Sequence, residues 1–146
     1  DTAQRLLVER GDLGAVPALL ALARDGRAEA RARVAALWTL EGLEPRDGAA
    51  LLPLVDDLEP HVATAAIRVV ESLATRPSRG GALGARLVRA LDRAPASTDA
   101  PEVALQRALT LGRLTRGAAG TRTLLTLAKR HGQNPIVADA VVAGLA

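Results

Sequence analysis

The chain contains no Cys, Met, Phe or Tyr, and a single Trp. Without Cys, this stretch can form no disulfide, no thiolate metal site and no covalent haem attachment. Without Met, it does not start at a natural initiation site, so it reads as a segment of a longer protein or a chain processed at its N-terminus. No apolar run reaches the roughly 18–20 residues that a membrane span needs. The opening stretch from Asp1 to Arg10 is charged and amphipathic, unlike a signal peptide. Titratable chemistry is sparse as well. The two histidines, His61 and His131, lie far apart, and no pair of ligands stands at helical spacing. No nucleophile has a base and an orienting partner at motif spacing. These absences predict no catalytic residue, no metal and no cofactor.

What remains is apolar but small. Of the 146 residues, 49% are hydrophobic, which argues against disorder, and nearly all of these are Ala, Leu and Val. Ala and Leu are strong helix formers, and small side chains let helices approach closely. Eighteen of the nineteen basic residues are Arg, a bias that fits a GC-rich genome. The net charge of +3 hides an asymmetry. Asp1–Thr75 carries 8 basic and 12 acidic residues, whereas Arg76–Ala146 carries 11 basic and 4 acidic. Such a gradient suits either a solvated surface or a face for an acidic partner.

Apolar residues recur at three- and four-residue spacing, interrupted by Gly, Pro and Asp. The pattern predicts about nine helices: Thr2–Arg10, Leu13–Arg24, Ala28–Leu43, Asp47–Leu58, Pro60–Ala74, Ala82–Arg93, Pro101–Leu114, Ala118–His131 and Pro135–Leu145. Asp47 and Asn134 are predicted N-caps, and Pro60, Pro101 and Pro135 fit first turns, where a missing N–H costs nothing. Pro77–Gly81 and Pro95–Asp99 read as loops. No stretch alternates with a strand's period of two.

Four segments align without gaps: ARVAALWTLE from Ala32, VATAAIRVVE from Val62, VALQRALTLG from Val103 and VADAVVAGLA from Val137. Each follows a turn and a shorter Leu-rich helix. Repeats of this length, built from two helices, predict an all-α fold, an α-solenoid of helical hairpins. One domain covers 1–146, with repeats near 12–43, 47–75, 81–115 and 117–146 after a leading helix 2–10. Stacking would bury the two apolar faces that each hairpin leaves open.

The second helices resemble HEAT repeats, which often carry an Asp-x-x-Val-Arg pattern near the start. Glu59-Pro60-His61-Val62, Pro101-Glu102-Val103 and Asn134-Pro135-Ile136-Val137 approach it, but Ala63, Ala104 and Ala138 stand where Arg is usual. Only Arg33 keeps the basic residue, so the resemblance does not extend to the inter-repeat Asp–Arg ladder of many HEAT proteins. The string Ala36-Leu37-Trp38-Thr39-Leu40-Glu41-Gly42-Leu43, with Ala66-Ile67-Arg68 and Ala108-Leu109-Thr110-Leu111-Gly112, is similar to a bacterial HEAT domain. That domain occurs in large exported proteins of planctomycete type, between a sugar-dehydrogenase-like β-propeller and a cytochrome c domain. The resemblance implies an exported or periplasmic setting in which the redox chemistry belongs to neighbouring domains.

Several residue groups invite a functional reading. Glu41, Arg68, Glu71 and Arg113 sit on second helices off the main apolar stripes and are the predicted partner-facing set. Arg86, Arg89 and Arg93 share a helix face and, with Arg76 and Arg79, form the predicted basic patch. Asp56-Asp57 with Glu59 is read as capping and solvation rather than a calcium loop. Gly80-Gly81-Ala82-Leu83-Gly84 is read as an inter-repeat loop. Trp38, inside the most apolar helix, is read as core. The expectation is a non-catalytic scaffold or spacer within a larger exported redox protein. Its partner would be a protein or a neighbouring domain of the same polypeptide. The alternative is a nucleic-acid-binding solenoid that grips phosphates through the basic C-terminal half. A solenoid lyase or hydroxylase would need carboxylates and His at metal spacing, which the sequence lacks.

Overall fold

The structure, a computed structural model, describes residues 2–76, 80–93, 100–115 and 120–146. Among these residues every regular element is helical and none is a strand. The α-helices are α1 (Thr2–Arg10), α2 (Val16–Arg24), α3 (Ala30–Leu43), α4 (Pro60–Ala74), α5 (Gly80–Arg93), α6 (Pro101–Leu114), α7 (Thr121–His131) and α8 (Pro135–Leu145). A 3-10 segment spans Gly48–Asp56, and a single 3-10 turn, Leu13–Ala15, leads into α2.

Local chemistry fixes the ends. Asp47 accepts a bond from the Ala49 N–H at 3.1 Å, and Asn134 accepts from Ile136 N–H at 3.1 Å. Glu44 closes α3 in the left-handed region, at φ 51, with its N–H directed to the Leu40 and Glu41 carbonyls. Pro45 follows and cannot continue the helix.

Two expectations need correction. The stretch Asp47–Leu58 is not α-helical but winds as a 3-10 helix. Pro53 lies inside it, lacks an N–H, and in an α-helix would clash with the carbonyl four residues back. The three-residue repeat also stacks Leu51 and Leu54 on one side, where both are buried. The glycines from Gly80 to Gly84 are not a loop, because they form the opening turns of α5. Burial of Leu87 and Leu91 offsets the poor helix propensity of glycine there. The loops read at 77–79 and 95–99 lie outside the described residues.

Packing falls into two rows. In one, α1 lies on α3, α3 on α4, α4 on α6, and α6 on α8. In the other, α2 touches the 3-10 segment, which touches α5, which touches α7. The rows face each other: α2 covers α3, the 3-10 segment and α5 cover α4, and α7 covers α6 and α8. A single apolar core, from Ala23 to Val141, fills the space between them. The middle helix α4 is the most enclosed, with Val62, Ile67, Val69 and Val70 all at 0% exposure.

Small residues set the spacing within the first row. A Cβ added at Gly112 of α6 would lie 2.7 Å from the Gly144 Cα of α8. At Gly42 of α3 it would meet Val8 of α1 at the same distance, 2.7 Å. Only glycine permits such approach at the α6–α8 crossing, where the opposing atom is backbone.

Candidate interaction groove

The first row leaves one side uncovered, and a groove of about 540 Å³ lies along it. It is lined by Trp38 and Glu41 of α3, by Arg68, Glu71 and Ser72 of α4 with the adjoining Thr75, and by Gln106, Leu109 and Arg113 of α6. Apart from the neighbours Glu71 and Ser72, the residues on each helix stand three, four or seven apart, so each helix contributes one face. All four residues predicted to face a partner, Glu41, Arg68, Glu71 and Arg113, therefore line the same concavity.

The floor is a connected polar network. Glu71 is 6% exposed. Its carboxylate accepts from the Thr110 hydroxyl and is ion-paired with the Arg113 guanidinium at 2.9 Å. Thr110 in turn accepts from Gln106 Nε2 at 3.1 Å. A buried carboxylate without such partners would carry a large desolvation cost. Arg113 supplies the opposite charge from above, with its side chain 72% exposed.

Trp38 is half-buried: it packs against the core as expected and also faces the groove. It also lines two adjoining concavities, one with Gln4, Arg5, Val8 and Glu9 of α1, the other with His61, Thr64 and Glu102. The Arg68 guanidinium sits over its ring, 5.4 Å from the centroid. Such a cation–π contact contributes about 0.5–1 kcal/mol at an exposed site and restricts the Arg rotamers. Leu109, Gln106, Ser72 and Thr75 are groove residues that the sequence does not single out. Their helical spacing from Arg68 and Arg113 was the available signal.

The other candidates lie elsewhere. Arg86, Arg89 and Arg93 are exposed along α5 in the opposite row. Arg76 is apart from them, paired with Glu44 and lining the concavity beside α1. Arg79 lies outside the described residues. The acidic cluster at Asp56, Asp57 and Glu59 is not simply solvated, because two buried arginines consume it. Arg33 grips both Asp57 oxygens and donates through Nε to the Ala23 carbonyl at 3.0 Å. Arg107 donates to Asp56 at 3.1 Å. Burial lowers the Arg107 pKa, and the Asp56 charge opposes that shift. Asp57 also accepts the Glu59 N–H at 3.0 Å, so it caps the entry to α4 as well.

Among the described residues no group of three or more His, Cys, Asp or Glu is arranged to hold a metal ion. Among the same residues no helix is long and apolar enough to cross a membrane. No family model matches the chain, and neither a curated protein nor a solved structure matches it.

Proposed function

We propose that this chain is a non-catalytic interaction scaffold, a HEAT-like α-solenoid that presents the groove between α3, α4 and α6 to a protein partner. The observation that carries the reading is the convergence of an aromatic ring, exposed Leu109, and charged and hydrogen-bonding side chains from three helices on one concavity. Trp and Arg dominate binding energy at many interfaces, and here they stand already in contact. The two rows of helices support the solenoid reading, since each helix packs on its nearest neighbours in the stack. The partner on this reading is another protein or a neighbouring domain of the same polypeptide. The resemblance of the ALWTLEGL string extends the proposal to a spacer within a larger exported redox protein.

A photo-crosslinking residue placed at Leu109, in the protein's native host, tests this reading. A discrete protein adduct, or an internal link to another domain, is expected, and it should vanish when Glu41→Arg and Arg68→Glu are introduced together. The same crosslinker at Arg86 should give none. Adducts from position 86 but not from 109, or adducts indifferent to the groove substitutions, would contradict the reading.

A further inference from the structure

Resting on the reading of the groove as a partner surface, we infer that its occupant is an extended acidic segment whose carboxylate is held by Arg68. The charges of the groove separate by depth. Glu71 lies at the floor, buried, with its carboxylate bonded to Thr110 and ion-paired with Arg113. The guanidiniums of Arg68 and Arg113 belong to exposed residues, whereas Glu41 is half-buried. Between α3, α4 and α6 the two guanidiniums therefore belong to more exposed residues than the two carboxylates.

Arg68 is the better anchor of the two. Arg113 is already ion-paired with Glu71. Arg68 has no ion pair among those found between the described residues, and its guanidinium carbon sits over the Trp38 ring, 5.4 Å from the centroid. Its five N–H donors lie in the guanidinium plane, along the edge, and a carboxylate accepts two of them in parallel. The Trp38 ring restricts the guanidinium beforehand, which reduces the ordering cost of binding. Leu109, 46% exposed, offers an apolar contact on the opposite wall.

Dimensions favour an extended chain. The groove and the concavity beside α1 share Trp38 and Glu41, so together they run across α1, α3, α4 and α6. Helix axes about 9 Å apart make this path roughly 27 Å long. At about 3.3 Å per residue, some eight extended residues cover it.

The test uses the full chain and four probes: end-blocked eight-residue peptides of alternating Glu and Leu, Lys and Leu, or Ser and Leu, and an eight-nucleotide oligothymidine. Trp38 is the only Trp and the chain has no Tyr, so all the fluorescence comes from the groove and the two concavities that adjoin it, and the Arg68 variants separate these. The Glu–Leu peptide is expected to shift Trp38 emission saturably, with affinity falling as salt rises. Arg68→Gln should weaken it about tenfold, the loss of one charge-assisted pair. Arg68→Lys should restore little, Glu41→Gln should tighten it, and Arg86→Gln should change nothing. Tighter binding of the Lys–Leu or Ser–Leu peptide with the same Trp38 response would overturn the acidic assignment and leave the groove standing as a partner surface. Preference for oligothymidine, or a Glu–Leu peptide that binds Arg68→Gln as well as the parent, would overturn it too. So would no response to any probe, and the crosslinking at Leu109 then judges the groove separately.

Discussion

Arg33 of α3 holds both carboxylate oxygens of Asp57 across the junction between the 3-10 segment and α4, with the two side chains 5% and 15% exposed. Because Arg33 also donates to the Ala23 carbonyl at the end of α2, one side chain ties three successive elements together. Removing it strands a carboxylate in a nearly dry site. Arg33→Met is expected to cost about 3–5 kcal/mol in urea denaturation. Arg33→Met with Asp57→Leu should recover part of that loss, since the unpaired charge goes with its partner. A single-variant cost below about 1 kcal/mol would contradict the assignment.

Arg107 gives the opposite expectation. Its Nε is buried with no hydrogen-bond partner, and it makes one bond to an Asp56 whose side chain is 28% exposed. Desolvation is the largest influence on this group. Arg107→Met should therefore leave stability within about 1 kcal/mol of the parent, because the apolar replacement avoids the desolvation and Asp56 can be hydrated. Thermal unfolding of the two variants side by side distinguishes the two arginines.

The groove network should be asymmetric under substitution. Glu71→Ala leaves the buried Thr110 hydroxyl without its acceptor, an expected loss of about 1–3 kcal/mol. Arg113→Ala leaves the Glu71 carboxylate, on a side chain 8% exposed, with Thr110 as its remaining partner and should cost more than Glu71→Ala, about 3 kcal/mol. Chemical denaturation checks both.

Gly112→Ala probes the α6–α8 crossing. The added methyl would meet the Gly144 Cα at 2.7 Å, and backbone cannot rotate aside. Overpacking of this kind costs about 1–3 kcal/mol. Gly26→Ala, with nothing within 4 Å of the added methyl, is the control and should change little. Equal melting temperatures for the two variants would contradict the close crossing.

Most helix positions were legible because their signals are local. Apolar spacing, Asp47 and Asn134 as caps, and first-turn prolines each act within a few residues. The 3-10 winding of Gly48–Asp56 was less legible because two rules compete there, helical patterning and an internal Pro53. Glu41, Arg68, Glu71 and Arg113 were picked as polar residues off the apolar stripes, and their meeting in one groove depends on the register between helices. That register is set by contacts such as Gly42 on Val8, which one-dimensional spacing does not contain. The groove side of Trp38 is hidden for the same reason: an apolar helix says that a ring packs on the core, not which of its sides stays uncovered.

On the proposed solenoid reading each helix is stabilised by its immediate neighbours, so enclosure decides local stability. One aligned position, occupied in four helices, makes the contrast sharp. Leu37, Ile67 and Ala108 are 0% exposed in α3, α4 and α6, while their counterpart Val142 in α8 is 68% exposed. Native-state amide exchange on the whole chain measures this directly. The amides of α4 should exchange only through the highest-energy opening, with those of α8 opening at distinctly lower free energy while α3 and α4 stay closed. Exchange of all the helices through one common opening, with α8 as protected as α4, would contradict the account.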